Sequence, residues 1–334
     1  MAASPSRRTR TALLSAGAVA LVAAGVGTWT WTRDGGGNTC STLRDDSRIR
    51  TVLGSSYRDD LDCAVLGEKL KDSATGSREG THSVKQARAM RDIISATGDA
   101  LKSDGLTLDS ALRMPLAEIL VDYTPDTHEI LRQLDFDYEK HLSDGEPWKD
   151  DSGVRVTVPN DTLVRVIRAI SQDPAAYAVI RIAEGRHAAG KLVAIPGRAD
   201  DLKINLDACG NARTLGSLDG IAADTTAGLS KEKRTRWENQ VIEALSAQVS
   251  SSGIPPYKTD PVGHVTETWA GKLHVGEVKP FSVTFRAQAV EYVNTWARYR
   301  TVEPALLDSL AVECRKSATN MYVETMRTLE KKMN

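Results

Sequence analysis

The sequence predicts a mainly α-helical ectodomain with at most a few short strands, preceded by one transmembrane helix. Three observations support this prediction: one long uncharged apolar run lies near the N-terminus, helical spacing of apolar residues recurs along the rest of the chain, and all four cysteines follow the apolar run. With 41% hydrophobic and 26% charged residues, the 334-residue chain has the composition of a globular protein and not of a disordered one.

The first element is the apolar run at residues 11–32, which follows a basic cytoplasmic N-terminus at residues 1–10. As a helix this run would be about 33 Å long, enough to span the hydrocarbon core of a bilayer. Trp29 and Trp31 close the run where aromatic rings favour the membrane interface, and the three preceding arginines orient the N-terminus inside. We therefore expect a single-pass plasma-membrane protein with an extracytoplasmic C-terminal domain.

A cleaved signal peptide is the alternative for the same segment. Val22 and Ala24 are small enough to precede a cut at Gly25, and the protein would then be secreted after cleavage near Ala24. The apolar run is longer than the 7–15 residues typical of a signal peptide, which favours the anchor. Arg7-Arg8 indicates a twin-arginine signal only weakly, because the expected hydrophobic pair does not follow.

The charge of the chain excludes one class of partner. The net charge is −1 overall and becomes −4 once the basic N-terminal segment is removed. Nucleic-acid-binding domains usually carry a basic excess, so we expect no nucleic-acid partner. The same value weakens binding to acidic lipids or teichoic-type polymers through net charge alone.

The cysteines agree with an exported domain. Cys40, Cys63, Cys209 and Cys314 allow three pairings, and an even number in an exported region predicts two disulfides. We favour Cys40–Cys63 and Cys209–Cys314, because each pair lies within one predicted structural unit. Zinc ligation is not expected, since no C-x-x-C is present. Lipidation of Cys40 is also not expected, because Gly37-Asn38-Thr39 does not resemble the end of a lipoprotein signal.

A glycine-rich spacer at residues 33–40 separates the anchor from the ectodomain. The polar, turn-rich stretch at 143–153 predicts a boundary between an N-terminal helical subdomain, 41–142, and a C-terminal helical subdomain, 154–334. In the first subdomain, helical spacing connects the residues Met90, Ile93, Ile94, Thr97 and Leu101.

Two further helix starts are expected in the N-terminal subdomain. Pro115 would open a helix with a stripe from Leu116 to Tyr123. Thr124-Pro125-Asp126 is typical of an N-cap, a first-turn proline and an acid that complements the helix dipole.

The C-terminal subdomain begins with an alternating stretch, 154–158, that predicts a short strand. Asp173-Pro174 and Asp260-Pro261 each predict a capped helix, and Trp237 begins the apolar stripe of a long one. Residues 191–206, with Pro196-Gly197 in the middle, suggest a small hairpin. Alternation of Phe281, Val283 and Phe285 suggests a strand, after which two C-terminal helices follow.

Sequence patterns of catalytic or metal sites are weak. His264 and Glu267 share a helix face, but there is no H-E-x-x-H, so a surface or capping role is favoured. Asp135, Asp137 and Glu139 alternate like the start of a calcium loop, yet Lys140 stands where the loop needs glycine. No catalytic, cofactor-binding or metal-ligating residue is therefore assigned. A pair of carboxylates for glycan hydrolysis needs no local motif and stays open as an alternative.

The segment KEKRTRW, residues 231–237, is a basic stretch with one aromatic residue. It predicts the first turns of an amphipathic helix with Trp237 packed inward. Binding of an acidic partner by its basic side chains is an open alternative.

The strings DPAAYAVIRIAEGRHAAGKL (173–192) and IPPYKTDPVGHVTETWAGKL (254–273) resemble segments of uncharacterised exported or membrane-anchored helical proteins of actinobacteria. Some of those resemble helical regions that accompany polymorphic toxins and specialised secretion systems. The resemblance covers about residues 154–275 and implies a helical scaffold outside the membrane. It supplies no catalytic residue.

These observations predict a membrane-anchored, extracytoplasmic helical protein that binds or scaffolds a protein partner at the cell envelope. The alternatives are a cell-wall glycan hydrolase with paired carboxylates and a component linked to a toxin or specialised secretion system. No cofactor is expected, and a small-molecule ligand is left open.

Overall fold

The computed structural model describes residues 39–76, 80–103, 107–197, 199–273, 281–300 and 302–330. It is mainly helical, with 74% helix and 2% strand, as predicted. The predicted anchor at 11–32 lies outside the described residues, and among those that are described no helix is long and apolar enough to cross a membrane.

The elements follow one another along the chain with short connections. The first eight helices and the two strands are α1 (Thr39–Asp45), α2 (Ser47–Leu53), α3 (Cys63–Ala74), α4 (Val84–Ser103), α5 (Ser110–Asp122), α6 (Thr124–Arg132), α7 (Phe136–Asp144), β1 (Trp148–Asp150), β2 (Gly153–Arg155) and α8 (Asn160–Ile170). The remaining helices are α9 (Pro174–Val193), α10 (Asp201–Ala227), α11 (Lys231–Ser246), α12 (Pro261–Ala270), α13 (Phe281–Arg286), α14 (Gln288–Ala297) and α15 (Pro304–Glu330).

Acidic caps start many of these helices, because an aspartate side chain satisfies the free amide groups of a first turn. Asp173 accepts hydrogen bonds from the Ala175 and Ala176 amides before Pro174, and Asp260 caps α12 before Pro261. Both predicted Asp-Pro starts are therefore confirmed.

One other predicted helix start is wrong, and a second is confirmed except for its N-cap. Asp109, not Pro115, opens α5, and Pro115 lies inside that helix. Helix α6 begins at Thr124 with Pro125 and the acid Asp126 in its first turn, as predicted. The Thr124 hydroxyl, however, donates to the Val121 carbonyl at 2.6 Å and so does not cap the helix. The Thr124 cap was mispredicted because α5 runs almost directly into α6. The Val121 carbonyl in the last turn of α5 is therefore within reach of the Thr124 hydroxyl, which donates to it instead of accepting from an amide of α6.

Two of the three segments predicted to form strands in the C-terminal region are helical or lie between helices. Residues 191–206 do not form a hairpin, because α9 continues to Val193 and α10 starts at Asp201 under the Asp200 cap. Residues 281–286 form α13. The strand expected at 154–158 is present only as β2, which pairs antiparallel with β1 and places Arg155 opposite Trp148. Val156 and Val158 leave the ladder and are buried.

The core consists of two hydrophobic clusters. The aliphatic cluster fills the space between α1–α6, α8 and the start of α9, and is dominated by leucine and isoleucine. Its fully buried members include Leu66, Leu70, Ile93, Ile94, Leu116, Ile119 and Ile167. The aromatic cluster lies between α9 and α15. Its six aromatic members are Tyr177, Trp237, Trp269, Phe285, Tyr292 and Trp296.

The aliphatic cluster contains residues from both sides of the loop at 143–153, including Leu131 before it and Val156 and Leu163 after it. The clusters meet instead around α9, where Ile180 belongs to the aliphatic cluster and Leu192 to the aromatic one. The predicted subdomain boundary stays a prediction, since nothing observed tests whether the two halves fold separately.

Helices α10 and α15 form a close parallel pair. Moving along both helices in the same direction, Cys209 is bonded to Cys314, Gly216 contacts Ala318 and Gly220 contacts Thr325. A Cβ added to Gly216 would lie 2.1 Å from the Ala318 carbonyl oxygen, which no side chain can tolerate. The small residues therefore allow the two backbones to approach directly.

Two disulfides link the helices, as predicted, and they pair the cysteines in the way that we favoured from the sequence. Cys40–Cys63 ties α1 to α3 across 23 positions, and Cys209–Cys314 ties α10 to α15 across 105 positions. No free cysteine remains.

Candidate functional site

A surface groove of about 530 Å³ lies between α2, α3 and the first turns of α4. Its lining is Thr51, Val52, Asp72, Ser73, Ser83, Lys85, Gln86, Arg88, Ala89 and Asp92. The lining has an apolar floor at Val52 and Ala89, two cations, two carboxylates and no aromatic side chain. Such a groove is suited to a polar ligand that carries charge.

A capping box holds the rim of the groove where α4 begins. The Ser83 hydroxyl accepts from the Gln86 amide at 3.2 Å, and the Gln86 side-chain oxygen accepts from the Ser83 amide at 2.8 Å. The Gln86 Nε2 also donates to the Thr75 carbonyl at 2.7 Å, so the end of α3 is fixed to the start of α4.

Ion pairs brace the helices behind the groove. Arg48 on α2 contacts Asp46 at 2.6 Å and Asp99 on α4 at 3.0 Å. Lys71 on α3 contacts Glu118 on α5 at 2.9 Å. These contacts join α2 to α4 and α3 to α5, and the Cys40–Cys63 bond joins α1 to α3.

Two of the four charged side chains that line the groove form ion pairs, and two do not. Arg88 contacts Glu146 at 2.7 Å and Asp92 contacts Arg91 at 2.8 Å. Lys85 on α4 and Asp72 on α3 form no ion pair with any residue that the structure describes. One cation and one carboxylate, carried by two of the helices that line the groove, are therefore available to a ligand.

The buried charged side chains, in contrast, form ion pairs and hydrogen bonds with one another inside the protein. Arg181 of α9 is fully buried and contacts Asp219 of α10 at 2.7 Å. Its Nε and Nη2 donate to the side-chain oxygen of Gln288 at 2.9 and 2.5 Å, and its guanidinium lies 5.1 Å from the Phe285 ring centre. This network ties three helices and leaves no cation for substrate.

A second internal network surrounds His128 on α6. Its Nδ1 lies 3.0 Å from Glu184 Oε2 and its Nε2 lies 3.1 Å from Asn211 Oδ1. The Thr127 hydroxyl donates to the other Glu184 oxygen at 2.6 Å. His187 lies beside His128 with ring centres 4.7 Å apart, and burial together with the neighbouring His128 holds the pKa of His187 well below its usual value.

Glu129 completes the internal pairs at the edge of this network. It contacts Arg132 at 3.0 Å and also binds the Lys191 ammonium. Burial raises the pKa of Glu129, but the two cations outweigh it, so that the pKa lies below its usual value.

The residues that the sequence singled out for chemistry have structural partners. The His264 Nδ1 lies 2.8 Å from the Pro255 carbonyl, and Glu267 accepts from the Ser250 amide at 3.1 Å, so both hold the loop before α12. Asp135 caps α7. Within the described ranges no group of three metal-binding side chains occurs. Trp237 packs inward as predicted, with 4% of its surface exposed.

Sequence reasoning missed the groove itself. The S-x-x-Q pattern at 83–86 was a readable capping-box signal for the start of α4. No sequence pattern indicated that Lys85 and Asp72 would line the same groove, because the two residues approach each other only when α3 packs against α4.

Comparisons of the chain with protein-family models, with curated proteins and with solved structures give no match. The resemblance to exported actinobacterial proteins therefore stays a hypothesis.

Proposed function

We propose that the protein is a membrane-anchored, extracytoplasmic helical binding or scaffold protein of the cell envelope, and that it binds a protein partner through the groove between α2, α3 and α4. The observation that carries this proposal is that Lys85 of α4 and Asp72 of α3 line one groove, form no ion pair with a described residue, and lie close to the capping box that joins α3 to α4. Rigid walls lower the entropy that binding would cost.

The two disulfides support an oxidising compartment, where such bonds persist. The N-terminal apolar run supports an anchor there, with secretion after cleavage near Ala24 as the alternative. A link to a toxin or specialised secretion system rests on the resemblance alone.

Photo-crosslinking in the native envelope tests the proposal. A photoreactive residue replaces Thr51 in the groove, and in the control it replaces Thr319, which is exposed on α15. We expect one discrete adduct from position 51 that is absent from position 319. With the purified partner, the K85A/D72A variant should bind about tenfold more weakly, since losing charge partners costs roughly 1–2 kcal/mol, whereas K316A should bind like wild type.

The glycan-hydrolase alternative makes a different prediction for the same groove. Asp72 and Asp92 are its two carboxylates, and paired carboxylates are what glycoside hydrolysis needs. Release of soluble fragments from purified cell wall, lost in both D72N and D92N, would overturn the binding proposal. Equal crosslinking at positions 51 and 319 would overturn it as well.

A further inference from the structure

Two stacked tyrosines, Tyr257 and Tyr299, form an exposed platform where the loop before α12 meets the end of α14. Their rings are parallel, with an interplanar angle of 2° and centroids 4.1 Å apart. The ring of His264 on α12 is nearly perpendicular to both, with its centroid 5.7 Å from Tyr257 and 5.0 Å from Tyr299. Parallel and edge-to-face contacts are both favourable between aromatic rings, so the three rings hold one another in place. We call the pair the tyrosine platform.

One face of the Tyr299 ring is open. Tyr257 covers the opposite face, and 49% of the surface of Tyr299 is nevertheless exposed. His264 lies beside the stack and not over the open face, because it is almost equally close to both rings. Tyr257, in contrast, is half-buried and packs against the aromatic cluster. Tyr299 is therefore the outer ring of the platform, and its open face is free to take a flat ligand.

Hydrogen bonds fix the loop that carries Tyr257. The Pro255 carbonyl lies 2.8 Å from the His264 Nδ1, and the Pro256 carbonyl accepts from the Asp260 amide at 3.1 Å. Asp260 in turn caps α12, the helix that carries His264. The tyrosine platform is therefore preorganised, so a ligand would bind it without the entropy loss of ordering a loop.

The charges around the platform disfavour a cationic ligand. Burial raises the pKa of the Tyr257 hydroxyl, and the positive charge of Arg300 nearby lowers it. Lys258 and Arg298, each next to one of the tyrosines in sequence, are exposed and form no ion pair with any residue that the structure describes. Aromatic cages for quaternary ammonium ions also surround the cation with several ring faces, whereas the platform has one open face.

Two other flat ligands fit the platform poorly. Proline-rich segments dock in grooves lined by aromatic side chains, and a single open ring is not such a groove. Single-stranded nucleic acids stack successive bases along a positively charged channel. The chain has a net charge of −1, and the platform offers a stacking face for one base at most.

A pyranose ring matches the platform in shape and in polarity. In β-1,4-linked glucose and its amino-sugar relatives the ring substituents are equatorial, so that both faces present axial C–H groups and the edge presents hydroxyls. The C–H groups can pack on the open face of Tyr299, because the face of an aromatic ring is apolar and partly negative. The hydroxyls of Tyr257 and Tyr299 have no hydrogen-bond partner within the described ranges, so they can bond to hydroxyls at the sugar edge.

We propose that the tyrosine platform binds a polysaccharide of β-1,4-linked pyranose rings, with one sugar stacked on Tyr299. Tyr257 and His264 are positioning residues that keep the open ring in its orientation. This site is separate from the groove between α2, α3 and α4 and goes beyond the proposed binding of a protein partner. A single stacked sugar binds weakly, and a polymer compensates because its neighbouring sugars raise the effective concentration at the platform.

The test is saturation-transfer NMR on the purified full chain with cellotetraose and chitotetraose as probes. Irradiation of the aromatic protons should transfer saturation to the axial C–H protons of the sugars and not to sorbitol, which has no ring. Tyr299→Ala should weaken binding about tenfold, and Tyr299→Trp should retain it because the larger ring keeps the stacking face. Tyr257→Ala keeps the outer ring but removes its support, so we expect binding to be about threefold weaker.

Phe136→Ala is the matched control, because Phe136 is 74% exposed and stacks on no other ring in the described part of the chain. It should bind the sugars like wild type, and so should the groove variant K85A/D72A. Equal thermal midpoints of the Tyr299 and Phe136 variants would show that both are folded.

Four results would overturn the proposal. The first is no saturation transfer from the aromatic protons to either sugar. The second is sugar binding that persists in Tyr299→Ala or falls equally in Phe136→Ala, which assigns it to another surface or to exposed rings in general. The third is a loss of sugar binding in K85A/D72A alone, which assigns it to the groove. The fourth is binding of a polyproline peptide to Tyr299 in place of the sugars, which identifies a proline-rich partner instead.

Discussion

The two hydrophobic clusters achieve burial in different ways. The aliphatic cluster joins helices that are mostly neighbours in sequence, and its disulfide spans 23 positions. The aromatic cluster is built around the α10–α15 pair, whose members are separated by residues 228–303, and its disulfide spans 105 positions. It also surrounds the Arg181 network, whereas the four charged side chains of the groove lie at the surface of the aliphatic cluster.

The two clusters therefore differ in the free energy that their folding costs and in what their surfaces carry. Long-range pairing loses more chain entropy, and a buried charge network loses more solvation, so the aromatic cluster depends on a few irreplaceable contacts. The aliphatic cluster depends on many interchangeable apolar contacts, which leaves its surface free to carry the groove. We therefore expect single substitutions to be more damaging around α10 than around α4.

The largest expected effect is loss of the long-range disulfide. Replacing Cys209 and Cys314 by alanine should cost about 4.8 kcal/mol of unfolding free energy, because the bond closes the longer loop. Replacing Cys40 and Cys63 should cost about 3.4 kcal/mol. Urea unfolding of both variants checks the comparison. An equal or larger cost for the short loop would contradict it.

Breaking the buried ion pair should have the next largest effect. Arg181→Met leaves the Asp219 carboxylate buried without its cation, which typically costs about 3–5 kcal/mol. The matched double variant R181M/D219L removes both charges and should recover much of that loss. Denaturation midpoints of the two variants measure the difference. A double variant that is less stable than R181M would show that the polar network itself, and not charge neutralisation, is what the fold needs.

Overpacking the parallel helix pair comes third. Gly216→Ala places a methyl group against the Ala318 backbone, which cannot move aside as a side chain can, so we expect a loss of about 2–3 kcal/mol. Gly190→Ala is the control in α9, where an added Cβ meets nothing within 4 Å. It should gain up to about 1 kcal/mol from helix propensity. Similar thermal midpoints for the two variants would refute the close approach of α10 and α15.

The smallest effect is a pH dependence at His187. Because its pKa is lowered in the folded state, the unfolded chain binds the proton more readily, so stability is complete above pH ~6.5 and falls as the pH drops below it. The slope from one such group is at most about 1.4 kcal/mol per pH unit. His187→Gln should flatten the dependence between pH 7.5 and 5.5, measured by urea unfolding at each pH.

Asp126, which borders the aliphatic cluster, provides the opposite sign in the same experiment. Burial raises its pKa to about 6, although it accepts from the Tyr138 hydroxyl and the Val156 amide. The folded state therefore binds this proton more readily, and acidification from about pH 6 towards 4 adds stability. Asp126→Asn should remove that gain, and an unchanged pH profile in both variants would contradict the two assignments.

Caps that stand directly before an apolar stripe were enough to predict a helix, whereas α10 and α13 were missed. Asp173-Pro174 and Asp260-Pro261 were sufficient for α9 and α12 because caps act within one turn. Helix α10 carries small and polar residues on every side, since partners surround it, and so shows no apolar stripe. The error at 281–285 has a related cause: Phe281 and Phe285 fit both a two-residue alternation and a helical i, i+4 spacing.

The candidate site was less predictable than the fold. Pairings such as Arg181 with Asp219 join helices that are distant in sequence, and no local pattern specifies which charged residues will be buried together. The cysteines were an exception, because their number and their position after an export segment carried the information. Trp237 was also predictable, because a single large aromatic side chain in a basic stretch is expected to be buried, and Trp237 is.

The parallel arrangement of α10 and α15 has a consequence for export. If the chain enters an oxidising compartment N-terminus first, α10 arrives before residues 228–303 and long before α15. Until then its glycine-lined face is uncovered, and Cys209 is a thiol in a chain that already holds both Cys40 and Cys63. Thiolate attack could reshuffle the Cys40–Cys63 bond. Under that condition, early arrival of α15 would protect the Cys40–Cys63 bond, because Cys314 would take up the Cys209 thiol.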